Sequence, residues 1–468
     1  MLETLKPQRV FKHFEDICSI PHGSGNTDAI SSYCIDFAKG LGLHCERDGS
    51  NNVLIRKPAS KGYEEHPTVV LQGHLDMVCE KTADCDIDFK KDGLKLRLDG
   101  DMLSADKTTL GADDGIAVAM IMAVLEDDTL CHPPIEALFT TDEETGMYGA
   151  EDFDVKKLKG STFINLDSGE EGVLTVGCAG GAKVDINIPV TYVQNTLPCK
   201  KIAISGLLGG HSGIDINKGR QNADMLLGTL LAGMPVDFKL VSISGGFKDN
   251  VIPNASECVV ACAGDIGKYV DEFAAANTMH TDSGLKITVT DAASDRRLDR
   301  ASTERVVRFI SSVRSGVTAM SDKINGLVQS SQNLGILATE SDHIKAVLSV
   351  RSSVAADKQK LLDRLSKAAE NVGAEISTRG HYPAWEYREK SRLREIMVSV
   401  YKEMYGKEPS VEMVHAGLEC GLFCGKIPDF DAVSTGPDMW DIHTVGERLS
   451  VSSVERTYNY LLAVLKNL

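Results

Sequence analysis

The sequence of 468 residues lacks several features that mark whole classes of protein. Basic residues are not in excess, since 67 acidic residues face 50 basic ones and give a formal net charge of −17 with histidine neutral. A chain of this charge has no sequence-independent attraction to phosphate backbones, so we expect no nucleic-acid partner. The longest apolar run, at residues 116–125, is about half of what a bilayer span needs, so we also expect no membrane partner.

Cysteine is not scarce, but none of its twelve residues forms a Cys-x-x-Cys pair. The pairs Cys258/Cys262 and Cys420/Cys424 have no zinc-finger context, so we expect reduced thiols in a cytoplasmic protein. The first residues show no basic stretch followed by a long apolar core, and we therefore expect no signal peptide. No internal repeat of about 20–50 residues is found.

Periodicity indicates an α/β fold with a mostly parallel sheet flanked by helices. Short β-branched or apolar runs predict strands, and a longer apolar segment at residues 111–126 predicts a helix between two of them. The predicted strands lie at residues 68–71, 135–140 and 162–166. This pattern also occurs in Rossmann-type dehydrogenases, but no Gly-x-Gly-x-x-Gly turn follows the first strand, which disfavours that class.

The pattern changes near residue 180, where polar and apolar residues begin to alternate, as at 184–190 and 201–205. Such alternation favours antiparallel strands with one solvated face. The simplest organisation is a catalytic α/β domain built from residues 1–182 and 385–468. It is interrupted by an inserted α+β domain at residues 183–384.

Histidine and carboxylate residues cluster just past predicted strands, where α/β sheets bind ligands. The set comprises His74, Asp76, Asp113, Asp114, Glu143, Glu144, Asp167 and His443. Taken singly, such residues are usually hydrogen-bonded core histidines, helix-capping aspartates or solvated charges. Taken together, imidazole and oxygen ligands suit zinc, manganese or cobalt, and they exceed what one tetrahedral zinc needs. The set favours two metals about 3.5–4 Å apart, sharing one carboxylate, with a second carboxylate as general base.

Strand alternation places His74 and Asp76 on the same side of the chain. We therefore expect the Asp76 carboxylate to accept the second ring N–H of His74 and so to fix its tautomer.

These strings resemble the motifs of the dinuclear zinc metallopeptidases of the aminoacylase, carboxypeptidase and dipeptidase family. The resemblance spans nearly the whole chain. It is carried by His74-Leu75-Asp76, Gly111-Ala112-Asp113-Asp114-Gly115, Asp142-Glu143-Glu144-Thr145-Gly146, Asn165-Leu166-Asp167-Ser168, Cys178-Ala179-Gly180-Gly181, Gly210-His211-Ser212-Gly213, Arg351-Ser352-Ser353, His415-Ala416-Gly417-Leu418-Glu419-Cys420-Gly421 and His443.

The resemblance implies a zinc-exopeptidase-like catalytic domain with two divalent metal ions, Zn²⁺ first, for which Mn²⁺ or Co²⁺ can substitute. It implies hydrolysis of small peptides, namely dipeptides of the Xaa-His type including β-alanyl-histidine. The implied metal ligands are His74, Asp167, Glu144, His443 and the bridging Asp113, whose peptide bond to Asp114 would be cis. Glu143 would be the general base, and Asp76 would orient His74.

The resemblance also implies that the inserted domain is a lid. Its His211 would stabilise the developing oxyanion, and Asn250 and Arg351 would bind the substrate carboxylate. We place His415 and Glu419 in the catalytic domain, where they would shape the substrate site. An insert of about 200 residues is roughly twice the lid of simple dimeric relatives. This size leaves open a homodimer through the lid, with His211 acting in trans, or a single chain in which it acts in cis.

Three other functions remain open at this point. A related deacylase of N-acyl amino acids or a tripeptidase would use the same metals and base. A non-catalytic module that binds metal or peptide is disfavoured, because such a module does not need the base Glu143.

Overall fold

Apolar residues at helical spacing form helices in the computed structural model, which describes residues 2–322, 324 and 326–468. None of the described helices has both the length and the apolar character needed to cross a membrane. The helices are α1 (Gln8–Ser19), α2 (Asp28–Gly40), α3 (Ala112–Glu126), α4 (Glu143–Gly146), α5 (Tyr148–Asp152), α6 (Ala223–Ala232), α7 (Gly267–Asn277), α8 (Arg300–Ser312), α9 (Ala355–Glu370), α10 (Arg392–Tyr405), α11 (Glu419–Lys426) and α12 (Val451–Asn467).

The strands belong to several sheets and are numbered here in chain order. They are β1 (His44–Arg47), β2 (Val53–Lys57), β3 (Val69–His74), β4 (Leu96–Asp99), β5 (Met102–Ala105), β6 (Ile135–Thr140), β7 (Thr162–Asn165), β8 (Val173–Cys178), β9 (Gly180–Pro189), β10 (Tyr192–Gln194), β11 (Cys199–Ser205), β12 (Gly210–His211), β13 (Phe238–Gly245), β14 (Val251–Ile252), β15 (Ser256–Cys262), β16 (Lys286–Ala292), β17 (Arg296–Leu298), β18 (Gly316–Met320), β19 (Val328–Thr339), β20 (His343–Ser352), β21 (Glu375–Tyr382), β22 (Ser410–Val414), β23 (Asp431–Ser434), β24 (Met439–Trp440) and β25 (Arg448–Ser450).

The chain divides into two compact units. The first unit comprises Met1–Gly177, Tyr387–Met413 and Leu418–Leu468, and the second comprises Cys178–Glu386 and Val414–Gly417. The units meet after residues 177 and 386, whereas the sequence analysis placed the boundaries after residues 182 and 384. The first boundary comes earlier because β9 pairs along its whole length with β20 of the second unit. The assignment of catalysis to one unit and of a lid to the other stays a prediction.

The first unit contains an eight-stranded sheet in the order β1-β2-β6-β3-β7-β23-β8-β22. Its four central strands, β6, β3, β7 and β23, run parallel, and the pairs β1/β2, β2/β6 and β23/β8 are antiparallel. The predicted α/β class is confirmed, with the parallel pairing confined to the centre. A second, four-stranded sheet has the order β24-β25-β5-β4.

The apolar run at residues 116–125 forms the body of α3, and all of its side chains are buried. α3 packs against α1 and β3. A helix that is apolar on every side must be covered on every side, which explains why the run is long without spanning a membrane.

The second unit contains a nine-stranded sheet in the order β16-β11-β15-β13-β19-β20-β9-β21, with β18 paired to β19. The described pairs of this sheet are antiparallel, as the alternating sequence predicts. Aliphatic side chains of the strands pack with those of α6, α8 and α9 to form a separate core.

Replacing Asp224 with Asn should stabilise the protein increasingly as the pH rises. Asp224 is fully buried in α6, and burial raises the pKa of its carboxyl to about 7. The folded state therefore keeps a proton that the unfolded state loses above its ordinary pKa near 4, so wild-type stability falls between these two values. The fall is about 4 kcal/mol at most.

Thermal unfolding between about pH 4 and pH 8 measures this difference, because the amide of Asp224→Asn does not titrate. The exposed Asp271, changed to Asn, is the matched control. Curves of Tm against pH that run parallel for the wild type and Asp224→Asn would contradict the prediction.

Candidate metal centre

Three of the parallel strands bring the predicted residues to one edge of the first unit's sheet. β3 ends at His74, which pairs with Thr140 at the end of β6, just before the acidic turn at residues 142–144. Gln72 of β3 pairs with Asn165, and β7 ends there, two residues before Asp167. Since parallel strands place their carboxyl ends at the same edge, the three motifs converge there.

The Asp113 carboxylate faces two histidines from distant parts of the chain. One oxygen, Oδ1, lies 3.0 Å from Nε2 of His74, and the other, Oδ2, lies 3.1 Å from Nε2 of His443. A carboxylate whose two oxygens face two different imidazoles has the arrangement of a ligand that bridges two metal ions. The peptide bond between Asp113 and Asp114 is cis.

Two groups of side chains at this edge have donor atoms within 4.8 Å of one another, and both contain His74. One group adds Asp113 and Glu144, and the other adds Asp114 and Asp167. Glu144 is also joined to His443, with Oε1 2.8 Å from Nε2. The structure thus brings together all five predicted ligands, and it adds Asp114, which the resemblance does not assign as one.

The negative charge of the carboxylates at this edge is only partly balanced without a cation. Burial, and then the carboxylates of Asp113 and Asp114, raise the pKa of Asp167 well above its usual range. Burial lowers the pKa of His443, but hydrogen bonds to Asp113 and Glu144 outweigh it and raise the pKa to about 10. A divalent cation would relieve the carboxylate repulsion and free both imidazoles to bind as neutral ligands, so the donor set fits a metal.

Glu143, the predicted base, lies beside the ligands rather than among them. Burial, followed by the charge of Glu144, raises the pKa of its carboxyl well above the usual range, although His74 opposes the shift. A proton acceptor with a raised pKa is suited to general-base work near neutral pH.

The position of the Asp76 side chain differs from the expectation. Nδ1 of His74 lies 2.9 Å from the backbone carbonyl oxygen of Asp76, but 3.6 Å from its Oδ1. Because a carbonyl only accepts, Nδ1 carries a proton, and loss of the Nε2 proton to a bound metal would leave a neutral ring with its lone pair on Nε2. The Asp76 carbonyl is therefore the nearer acceptor for Nδ1, and the orienting role of the Asp76 carboxylate stays a prediction.

Glu447 positions Asp113, and the sequence analysis missed it. Its buried carboxylate accepts hydrogen bonds from four consecutive backbone N–H groups, those of Leu110, Gly111, Ala112 and Asp113, at 2.7 to 3.4 Å. No sequence pattern signals this role, because Glu447 is more than 300 residues from the segment that it holds.

Glu419 and His415 lie in different units, so placing both in the catalytic domain was wrong for His415. Glu419 is fully buried in the first unit, where Oε2 accepts hydrogen bonds from Gln72 at 2.6 Å and Thr140 at 2.7 Å. His415 belongs to a four-residue return into the second unit, where its Nε2 lies 2.7 Å from the Ser331 hydroxyl.

The other predicted substrate residues lie in the second unit. His211 lies on β12, which pairs with β14, and its Nδ1 accepts N–H groups from Gly213 and Ile214 at 3.2 and 3.3 Å. Asn250 immediately precedes β14, and its carbonyl accepts the Ser212 N–H at 2.9 Å. His211 and Asn250 are therefore neighbours within this unit.

Arg351 is a buried cation without an acidic partner in the described part of the chain. Its Nη1 donates to the Tyr382 hydroxyl at 3.0 Å, and its Nε has no hydrogen-bond partner among the described residues. Burial and the nearby Arg351 charge lower the pKa of His415 to about 4, so His415 stays neutral. A buried guanidinium of this kind needs an anion. Tyr382 was missed because β21 brings it to Arg351 from 31 residues away.

The sequence also matches a known protein family. The family model described as Peptidase family M20/M25/M40 matches residues 70–467. This chain belongs to that family. Membership confirms the predicted resemblance, the mixed α/β fold with flanking helices and the metallopeptidase class.

Two relatives match along the full length of this M20/M25/M40 chain. The cytosol non-specific dipeptidase of Escherichia coli (strain K12) is 34% identical, and the match covers 100% of this chain and 99% of that protein. The crystal structure of aminoacylhistidine dipeptidase from Vibrio alginolyticus has a TM-score of 0.91 and 34% identity, over 100% of this chain and 98% of that one. A tripeptidase structure from Staphylococcus aureus, at 14% identity and a TM-score of 0.59 over 99% and 98%, shows the fold alone.

Replacing Glu447 with Gln should weaken metal binding by this M20 peptidase about 10- to 100-fold. The amide would put an NH₂ group against backbone N–H donors of residues 110–113, so Asp113 would lose its fixed position. Calorimetric titration of metal-free protein with Zn²⁺ or Mn²⁺ measures the affinity, and Glu455→Gln, on α12, is the control. An unchanged affinity in Glu447→Gln would show that Asp113 is held in some other way.

Proposed function

We propose that this chain is a dipeptidase that uses two divalent metal ions and acts on dipeptides with a free amino end. Xaa-His dipeptides, including β-alanyl-histidine, are the proposed preferred substrates. The observation that carries the metal chemistry is the Asp113 carboxylate, each of whose oxygens faces a different histidine. The proposal for histidine rests on the Vibrio alginolyticus relative, whose name specifies aminoacylhistidine.

The proposed metal ligands are those predicted from the sequence, in two sets that share Asp113. His74 and Asp167, whose donor atoms lie within 4.8 Å, would form one set, and Glu144 and His443, which are 2.8 Å apart, would form the other. Zn²⁺ is the proposed metal, and Mn²⁺ or Co²⁺ would suit the same donors. When bound, such a pair lowers the pKa of a water molecule and polarises the scissile carbonyl.

Glu143 is the proposed proton carrier. Its carboxylate would accept the proton of the attacking water and pass it to the leaving amine as the peptide bond breaks. The adjacent Glu144 is joined to His443, which leaves Glu143 for the proton. His211 stays the predicted oxyanion stabiliser on the basis of the family motif.

Arg351 is the proposed receptor for the substrate carboxylate. Arg351 is 8% exposed, and its guanidinium has no acidic partner in the part of the chain that the structure describes. A planar carboxylate would supply the missing charge and accept two N–H groups at once. A dipeptide always carries such a carboxylate, whichever side chains it has.

The cellular location and the oligomeric state are proposals as well. We propose a cytosolic location, as the Escherichia coli relative's name states for that protein. A homodimer through the inserted unit stays a prediction.

A substrate panel tests the proposal. Metal-free protein would be assayed on Ala-His, β-Ala-His, Ala-Leu, a tripeptide and an N-acetyl amino acid, then again with Zn²⁺, Mn²⁺ or Co²⁺ restored. We expect metal-dependent cleavage of the dipeptides, with the histidine compounds fastest and the acetyl compound intact. Cleavage of the acetyl compound or the tripeptide alone would instead assign a deacylase or a tripeptidase.

Glu143→Gln is the companion variant and should lose at least about 100-fold in kcat with both metals bound, because only the proton acceptor is removed. Metal content by elemental analysis provides the check. If the turnover of Glu143→Gln stays near the wild-type level, Glu143 is not the base. If the wild type cleaves no substrate of the panel with any metal, a binding module is the remaining function.

Replacing Tyr382 with Phe should raise KM for dipeptides about 5- to 10-fold and leave kcat nearly unchanged, because Arg351 loses its one hydroxyl acceptor, worth about 1 kcal/mol. Dipeptide amides, which lack the carboxylate, should show the same KM in both proteins. Tyr192→Phe, in the same unit, is the control. An equal rise in KM for acids and amides would mean that Tyr382 does not act through carboxylate binding.

A further inference from the structure

The Asp76 carboxylate is bound by a turn that carries two functional residues. Its Oδ1 accepts the backbone N–H of Glu143 at 3.0 Å, and its Oδ2 accepts that of Glu144 at 3.3 Å. A third donor is the Ser24 hydroxyl, 2.7 Å from Oδ2. Asp76 is 1% exposed, so these three donors replace the water that its charge requires.

The same N-terminal segment ties the acidic turn at a second point. The N–H of Gly25 donates to Oδ1 of Asp142 at 2.6 Å. Asp142 has a left-handed backbone with φ of 55° and immediately precedes α4, which begins at Glu143. Two adjacent residues, Ser24 and Gly25, therefore hold the turn from one side.

Ser24 is itself held in a fixed place beside Asp76. Gly23 forms a parallel bridge with Met77, and the N–H of Met77 donates to the carbonyl of His22 at 3.2 Å. A Cβ on Gly23 would lie 2.5 Å from the Cys79 sulfur, so this approach needs glycine. The Ser24 hydroxyl is thus presented to Asp76 by backbone pairing.

The hydrogen bonds from the acidic turn to the Asp76 carboxylate fix the positions of two side chains at once. Glu143 and Glu144 are consecutive, and their N–H groups share one acceptor carboxylate. A rotation of the turn would therefore move the base and a metal ligand together, and errors of about 1 Å in such groups cost about 100-fold in rate. Nδ1 of His74 lies nearer the backbone carbonyl of Asp76 than its Oδ1, at 2.9 against 3.6 Å, and the shorter contacts of the Asp76 carboxylate are those with the turn and Ser24.

We propose that Ser24 is a positioning residue, which completes the hydrogen bonding of Asp76 and thereby fixes the backbone of Glu143 and Glu144. This inference rests on the proposed function only in assigning the base to Glu143. It assigns a role to the turn-rich segment at residues 21–26, and it gives the Asp76 carboxylate a task other than orienting His74.

The test compares Ser24→Ala with Ser24→Thr, which keeps the hydroxyl. Ser24→Ala should lower kcat about 10-fold or more with KM nearly unchanged and two metals still bound, and Ser24→Thr should restore most of the rate. Ser32→Ala is the matched control, because its hydroxyl caps the Asp28 carbonyl at an exposed site.

A second readout does not need activity. Hydrogen–deuterium exchange of the metal-free protein should be faster in Ser24→Ala for the peptide that covers residues 141–148, and unchanged there in Ser32→Ala. Asp142→Ala removes the second tie at Gly25 and should speed exchange in the same peptide. This variant tests the tie if Ser24→Ala does not fold.

The outcomes separate this inference from the proposed function. Equal kcat and equal exchange in wild type and Ser24→Ala would overturn it, as would a loss of bound metal without faster exchange. If the wild type cleaves only N-acyl amino acids, the dipeptidase proposal fails, and the same comparison is made on that substrate.

Discussion

Repulsion among buried and half-buried carboxylates controls how the strand-end edge of the first unit can be charged. Asp113, Asp114, Glu143, Glu144 and Asp167 meet where the parallel strands end, and their charges act on one another through a medium with little water. The two histidines supply positive charge there. The arrangement is stable with all groups ionised only when a cation joins it, so metal binding and local folding are linked.

Two further carboxylates in this unit do not need a cation. Asp76 and Glu447 are nearly fully buried, and their acceptors are filled by backbone N–H groups, with the Ser24 hydroxyl as a further donor to Asp76. A carboxylate satisfied in this way acts as a fixed anchor for the main chain rather than as a metal ligand. The edge therefore has one set of acids that would face a bound cation and another that accepts hydrogen bonds from the segments carrying the first set.

The second unit has the opposite charge imbalance, namely a positive charge without an acidic partner among the described residues. Arg351 is a buried positive charge beside a neutral His415 and the Tyr382 hydroxyl, with no acid paired to it among the described residues. A site with an unmatched cation selects for an anion through the cost of leaving it unpaired. The proposed binding of a substrate carboxylate by Arg351 would use groups of this unit alone.

The helices, the strands and the kinds of candidate ligand could be predicted from the sequence. Runs such as residues 135–140 and 116–125 became a strand and a buried helix because side-chain periodicity and burial are local properties. His74, Glu144 and Asp167 could be found from short motifs at strand ends, since the carboxyl ends of parallel strands converge whatever the loops do.

The hydrogen bonds between groups far apart in the chain could not be predicted, because they depend on how the elements pack. Glu447 reaches residues 110–113, Tyr382 reaches Arg351, and His415 returns to the second unit. The packing also places Nδ1 of His74 2.9 Å from the carbonyl oxygen of Asp76 and 3.6 Å from its Oδ1. The Asp76 carboxylate accepts the backbone N–H groups of the acidic turn. The physical reason is that a hydrogen bond depends on tenths of an ångström and on direction, which strand order and packing fix and spacing along the sequence does not.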